Sequence, residues 1–176
     1  MVTWVVDPIG KFRGSLLERL PQNPHDKSMT QNTMAAPTVV LAEDNEDDVF
    51  FMRRGWKTAG IDLPLQVLRD GQQVLDYFAG RGDYADRQRF PLPSILLLDL
   101  KLPCKSGHEV LQWIRSNGGN QACIVIVLSS SRDASDVARA YSVGANAYLV
   151  KPAGAAELVA MLKAFKGFWL ESNLAQ

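Results

Sequence analysis

Three observations predict an α/β fold, a doubly wound parallel sheet covered on both faces by helices. Short apolar runs alternate with segments of helical period from residue 38 onward. The clearest run, Ile95-Leu96-Leu97-Leu98, is continuous, as in strands buried on both faces. Polar or ionisable residues follow the runs at their carboxyl ends, where open α/β sheets carry their chemistry.

The elements follow in order. Thr38 to Ala42 reads as the first strand. A helix from Asp47 to Ala59 carries Val49, Phe50, Met52, Arg53 and Trp56 at helical spacing, and Gly60 stops it. Leu65 to Arg69 is a second strand and Gln72 to Phe78 a second helix. A Gly-, Arg- and Asp-rich segment over residues 79–91 is a longer surface loop than such folds usually need. The Ile95 run is the third strand, and a helix from His108 to Ser116 ends at Gly118-Gly119. Cys123 to Leu128 is a fourth strand, Ala134 to Val143 a helix and Ala147 to Val150 a fifth strand. A last helix runs from Ala155 to about Ser172. Five strands alternating with five helices call for right-handed crossovers.

Residues 1–37 differ in character, holding Pro8, Pro21, Pro24 and Pro37 and a polar stretch around Gln22 to Ser28. They read as a flexible extension ahead of a domain spanning 38–176. Ile9, Phe12, Leu16, Leu17 and Leu20 fit one short amphipathic helix, marginal in water by itself. Met29 and Met34 precede the first strand, so a translation start there is an equal alternative.

Bulk properties narrow the function. Nineteen basic and nineteen acidic residues cancel, so no global charge points to DNA or to an anionic membrane. No stretch approaches the roughly 20 apolar residues of a membrane span, and the amino terminus lacks a signal-peptide pattern, so a cytoplasmic protein is expected. Cys104 and Cys123 lack metal-ligand spacing and are expected as free thiols, Cys123 buried.

The strand-end residues carry the chemistry: Glu43-Asp44 after the first strand, Asp99 after the third, Ser129 after the fourth, and Lys151-Pro152 after the fifth. A parallel sheet brings all of them to one rim. Carboxylates gathered there repel unless a cation neutralises them, and an oxygen-preferring divalent ion such as Mg²⁺ (or Mn²⁺) suits them. A lysine and a hydroxyl opposite complete a pocket for phosphoryl oxygens, with Asp99 as the nucleophile that becomes an aspartyl phosphate.

This set, with Tyr148 and with Leu102-Pro103 and Gly107 after the acceptor, resembles the receiver domain of two-component response regulators over about Thr38 to Leu170. Glu43-Asp44-Asn45, Asp70-Gly71, Gly80-Arg81-Gly82, the Ser129-Ser130-Ser131 run and Phe168-Trp169-Leu170 are similar to the stand-alone regulators paired with bacterial phytochrome kinases. The resemblance implies a flavodoxin-like (βα)5 fold with strand order 2-1-3-4-5. It implies Asp99 as phosphoacceptor, Asp44 as a direct Mg²⁺ ligand, Glu43 as a ligand through water, and the Lys101 backbone carbonyl as a further ligand. Ser129 would hydrogen-bond the phosphoryl group and Lys151 pair with it by charge. A cis Lys151–Pro152 peptide would hold the lysine. Tyr148 would move into space vacated by Ser129, shifting a protein-interaction surface.

Lys101 departs from the common family pattern and is expected to alter phosphate lifetime, and Glu46 stands where a proline is frequent. Asp47 and Asp48 read as first-turn acids favouring the helix dipole, not as ligands. His108, opening a helix, reads as exposed surface, so the donor histidine belongs to a separate sensor kinase, of bacteriophytochrome type by the resemblance. Leu162, Phe165, Phe168, Trp169 and Leu170 offer a wide apolar surface for a homodimer. Two other functions fit the pattern less well. An Asp-nucleophile phosphatase would want an acid where Lys101 stands, and a pseudo-receiver would be expected to lose the acidic pair, the acceptor or the lysine. Only 25 residues follow Lys151, all used by the last helix, so output through protein contact rather than DNA is expected.

Overall fold

The computed structural model describes residues 5–6, 12–13, 37–117 and 122–172. The chain divides into two units, Met1–Met34 and Ala35–Gln176. In the first, β1 (Val5–Val6) pairs antiparallel with β2 (Phe12–Arg13). Phe12 is therefore a strand residue, in keeping with its β propensity, and not part of a helix. The other four positions of the expected helix lie outside the described residues.

In the second unit β3 (Val39–Ala42), β4 (Leu65–Leu68), β5 (Ile95–Leu98), β6 (Ile124–Ser129) and β7 (Ala147–Val150) form one parallel sheet in the order β4-β3-β5-β6-β7. Counted within the unit this is the expected 2-1-3-4-5. Alternation along the strands sorts the core into two halves. Val40, Ala42, Leu96, Leu98, Val125 and Val127 face α2 (Gly71–Ala79), α3 (Gly107–Ser116) and α4 (Ala134–Val143). Val39, Leu41, Ile95, Leu97, Ile126 and Leu128 face α1 (Glu46–Thr58) and α5 (Ala155–Phe165). Helix starts are chemically marked. The Asn45 side chain accepts from the N–H groups of Asp47 and Asp48, the Asp70 side chain caps α2, and Ser106 with Glu109 forms a capping box on α3.

Several expectations change. Residues 79–91 do not form a plain surface loop: a 3₁₀ turn at Gly82–Tyr84 lets Tyr84 and Phe90 stack on Tyr77. The Arg87 guanidinium then donates to the carbonyls of Tyr77 and Phe78, satisfying the open end of α2. The last helix does not run unbroken to Ser172; α5 ends at Phe165 and a π-helical segment follows over Lys166–Ser172. Leu162 and Phe165 turn inward, Phe165 lying 5.6 Å from the Trp56 ring, so they add nothing to an apolar surface. Phe168 stays exposed while Trp169 and Leu170 pack partly on the core. No described peptide bond is cis, so Lys151–Pro152 is trans, the ordinary preference of an X–Pro bond. The lysine is held by its own contacts, described below.

His108 is also not plain surface. It is half-buried, and its Nδ1 is buried without a hydrogen-bond partner. Burial lowers its pKa from the ordinary value, Arg139 of α4 adds to this, and Asp136 opposes it. A folded pKa below the unfolded one means that stability from neutral His108 is present above about pH 6.5 and lost as pH falls through the folded value. The urea midpoint should therefore drop more between pH 7.5 and 5 for the wild type than for His108→Gln. Equal drops would remove His108 from the account.

Two glycines seat helices against the loop after β5. A Cβ on Gly107 would overlap the Asp99 carbonyl oxygen, and one on Gly71 would overlap that of Lys105. Both obstacles are backbone and cannot yield as a flexible side chain would. Gly107→Ala should cost about 1–3 kcal/mol in denaturant unfolding.

Candidate functional site

Register builds the site. Ala42 pairs with both Leu68 and Leu98, so Glu43 and Asp99 leave neighbouring strands at the same level. The Glu43 N–H donates to the Leu68 carbonyl at 2.9 Å and the Asp99 N–H to that of Ala42 at 3.0 Å, holding both backbones to the rim. Ser129 ends β6 opposite Val150, and the Lys151 N–H returns to the Ser129 carbonyl at 2.8 Å. The pleat then divides these residues. Ala42 and Leu98 face α2 to α4, so Glu43 and Asp99, next in chain, turn to the α1 and α5 side, as does Lys151 two residues after Leu149.

On that side the Lys151 Nζ donates to Glu43 Oε2 at 2.6 Å, Asp99 Oδ2 at 2.7 Å and Asp48 Oδ2 at 2.8 Å. Glu43 and Asp99 are buried, whereas the Asp48 side chain is 45% exposed. Burial alone would lower the Lys151 pKa, but hydrogen bonds to Asp48, Asp99 and Glu43 outweigh it and hold the ammonium above its usual value. Burial pushes the Glu43 carboxyl up, and the Lys151 ammonium opposes that. Asp99 Oδ1 accepts from the Lys101 N–H at 3.1 Å, so the Lys101 peptide lies beside the acceptor while its side chain is exposed.

Carboxylate oxygens of Glu43, Asp44 and Asp99 come within 4.8 Å of one another. The donors are all hard oxygens and Asp44 is exposed, which fits a Mg²⁺ or Mn²⁺ ion reached from solvent. Beside them lies a cavity of about 260 Å³, polar at Glu43, Asp48 and Lys151 and apolar at Phe51, Met52, Pro152 and Leu158.

The other side holds hydroxyls. Ser129 is buried, and its Oγ accepts from the Ser131 N–H at 3.2 Å. Ser131 Oγ donates to Asp136 Oδ2 at 2.6 Å, and the Ser131 carbonyl accepts from the Tyr148 hydroxyl at 3.1 Å. The Tyr148 ring is partly buried against the α2 to α4 half of the core. Cys104 is exposed in the loop after β5, and burial pushes the Cys123 thiol up to about 12.

The structure thus gathers Glu43, Asp44, Asp99 and Lys151 in one charged cluster, with Ser129 and Tyr148 in a hydroxyl cluster across the pleat. Sequence reasoning missed two members. Asp48 was read as a helix-dipole acid, although its place in the first turn of a helix that starts directly after Glu43-Asp44 was the signal that it stays at the same rim. Ser131 was seen only as part of a serine run, although the Ser131-x-Asp133 spacing suits a hydroxyl turn, and the Asp133 N–H does donate to Ser131 Oγ.

Comparison with known proteins places the sequence and the fold in a family. The model of the response regulator receiver domain matches residues 39–163. Response regulator Rcp1 of Synechocystis is 33% identical over 144 residues, 82% of this chain and 96% of Rcp1. Its Mn²⁺-bound crystal structure aligns with a TM-score of 0.70 at 35% identity, covering 80% of this chain and 99% of that one. Response regulator RPA3017, from red light signalling of R. palustris, aligns with a TM-score of 0.76 at 38% identity, over 80% of this chain and 98% of that one. The phosphorylated cyanobacterial phytochrome regulator RcpA gives 0.72 at 31%, with 80% and 98% covered. On matching sequence and fold alike, the chain belongs to the response regulator receiver domain family.

Proposed function

We propose that this receiver takes a phosphoryl group on Asp99 from a separate histidine kinase, of the bacteriophytochrome type that its relatives serve, and holds it as a signal. The observation that carries the reading is the ammonium of Lys151 held between the buried carboxylates of Glu43 and Asp99, beside an exposed Asp44. An Asp99 carboxylate oxygen attacks phosphorus, the bond from phosphorus to the donor nitrogen breaks, and its electron pair stays on the donor's imidazole. Asp44, Asp99 and the Lys101 carbonyl, with Glu43 through water, would hold a Mg²⁺ or Mn²⁺ ion, which would supply charge neutralisation for the transferring oxygens. Lys151 and Ser129 hold those oxygens, the first by charge and the second through its O–H proton. The chain turns over no other substrate, and the phosphoryl group leaves by hydrolysis at Asp99. The site belongs in the cytoplasm, where the kinase's phosphohistidine would be met.

The signal leaves through Ser129. Its hydroxyl has one proton and two lone pairs, so it donates to a phosphoryl oxygen while still accepting from the Ser131 N–H. Drawing Ser129 toward Asp99 pulls Ser131, and with it the Tyr148 hydroxyl and the Asp136 carboxylate at the start of α4. The outward face of α4, β7 and α5 is the surface that changes.

Incubation with Mg²⁺ and acetyl phosphate, followed by intact mass, should show the gain of one phosphoryl group that Asp99→Asn abolishes. No gain with any phosphodonor would overturn the reading. The Lys101 peptide lies beside the acceptor and its side chain is exposed; if that side chain screens the acyl phosphate from water, decay in Lys101→Asn should be faster by a small factor. Equal decay would make Lys101 a bystander.

A further inference from the structure

We propose that Asp48 is the positioning residue for Lys151, the carboxylate that keeps the ammonium in place while its other two partners change. The proposal rests on the phosphoacceptor reading above.

An ammonium has three N–H donors, and those of Lys151 are matched by Glu43, Asp99 and Asp48. Two of these partners have other work. Glu43 and Asp99 belong with Asp44 to the oxygen group suited to a divalent ion, and Asp99 is the group to be phosphorylated. When charge is drawn to those oxygens, the lysine loses its two buried anchors. Lysine is a point charge on a flexible four-carbon stem, so an ammonium without an anchor spreads over many rotamers. Asp48 does not belong to that oxygen group and stays available.

Asp48 is also well fixed for the task. Asn45 accepts from the Asp47 and Asp48 N–H groups at 2.9 and 3.0 Å, which pins the first turn of α1. At the other end the Lys151 N–H is tied to the Ser129 carbonyl. The ammonium is thereby held from α1 and from β7, with two donors left to turn toward the phosphoryl oxygens. The competing account is that Asp48 only favours the positive end of α1. Asp47, one residue earlier in the same turn, has that property too, yet among the described residues its carboxylate makes no contact with Lys151.

The test compares Asp48→Ala, Asp48→Glu and Asp47→Ala by rate of phosphoryl uptake from acetyl phosphate across Mg²⁺ concentrations. At saturating Mg²⁺, Asp48→Ala should be about two- to fivefold slower, the range expected for a partly exposed ion pair. The Mg²⁺ concentration at half-maximal rate should hardly move, Asp48→Glu should recover most of the rate, and Asp47→Ala should match the wild type. Independently, the Lys151 side-chain ¹⁵N resonance of the unphosphorylated protein at saturating Mg²⁺ should be visible in the wild type and broadened away in Asp48→Ala, whereas without Mg²⁺ Glu43 and Asp99 should keep it visible in both. An unchanged rate in Asp48→Ala, or an equal loss in Asp47→Ala, overturns the positioning role while leaving the phosphoacceptor reading intact. A wild type that takes no phosphoryl group removes both.

Discussion

Two carboxylates placed side by side at the dry end of a parallel sheet require a cation, and much of this molecule serves that requirement. The register of β3 against β5 puts Glu43 and Asp99 at one level and on one side of the pleat. Neither has much water to screen it, so their repulsion would drive one to bind a proton. Lys151 opposes this from the far strand β7, reaching across β6 to both, although burial still leaves the Glu43 carboxyl above its usual value. A buried pair of this kind is weak evidence for stability, because desolvation offsets much of the attraction, and removing one partner is costly. Its value lies in setting a positive charge against the acceptor carboxylate.

The pleat separates charge from motion. Glu43, Asp99 and Lys151 lie toward α1 and α5, whereas Ser129 and Tyr148 lie toward α3 and α4. Ser129 stands at the boundary, since it ends a strand whose next neighbour is the lysine strand. A change of charge on one side can reach the other through a single hydroxyl. Ser131 then distributes it, as its N–H, hydroxyl and carbonyl each hold a different partner.

Strands and helices were legible because burial on both faces leaves continuous apolar runs that end where the sheet ends, and the site was legible because its residues follow those runs directly. Glu43, Asp99, Ser129 and Lys151 each take their place from the strand before them. What escaped was set by tertiary contact. Asp48 looks identical to Asp47 as a first-turn acid, and only the arrival of Lys151 from another strand distinguishes them. His108 reads as exposed until α4 covers it. The 79–91 segment has loop composition, yet its two aromatic rings, Tyr84 and Phe90, and Arg87 find Tyr77 of α2 only once α2 ends at Gly80 with φ of 63°. The break at Phe165 has no local signal, since Leu162, Phe165 and Trp169 continue a helical spacing through it.

The two loops that flank the acceptor are built from different materials, and that difference decides which one moves. After β5 the chain is tied by backbone: the Gly107 N–H donates to Leu100, that of Gly71 to Pro103, and that of Lys105 to Pro103. Gly107 and Gly71 close the space so tightly that no side chain fits, leaving close-packed main chain with nothing to give. After β6 the described contacts run through serine hydroxyls and one tyrosine, groups that rotate and exchange partners at little cost. The phosphoryl group proposed for Asp99 would therefore meet a rigid loop on one side and pull on a compliant one on the other. The proposed response would then start in the loop between β6 and α4 and reach the face of α4, β7 and α5, while the loop after β5 holds the acceptor in place.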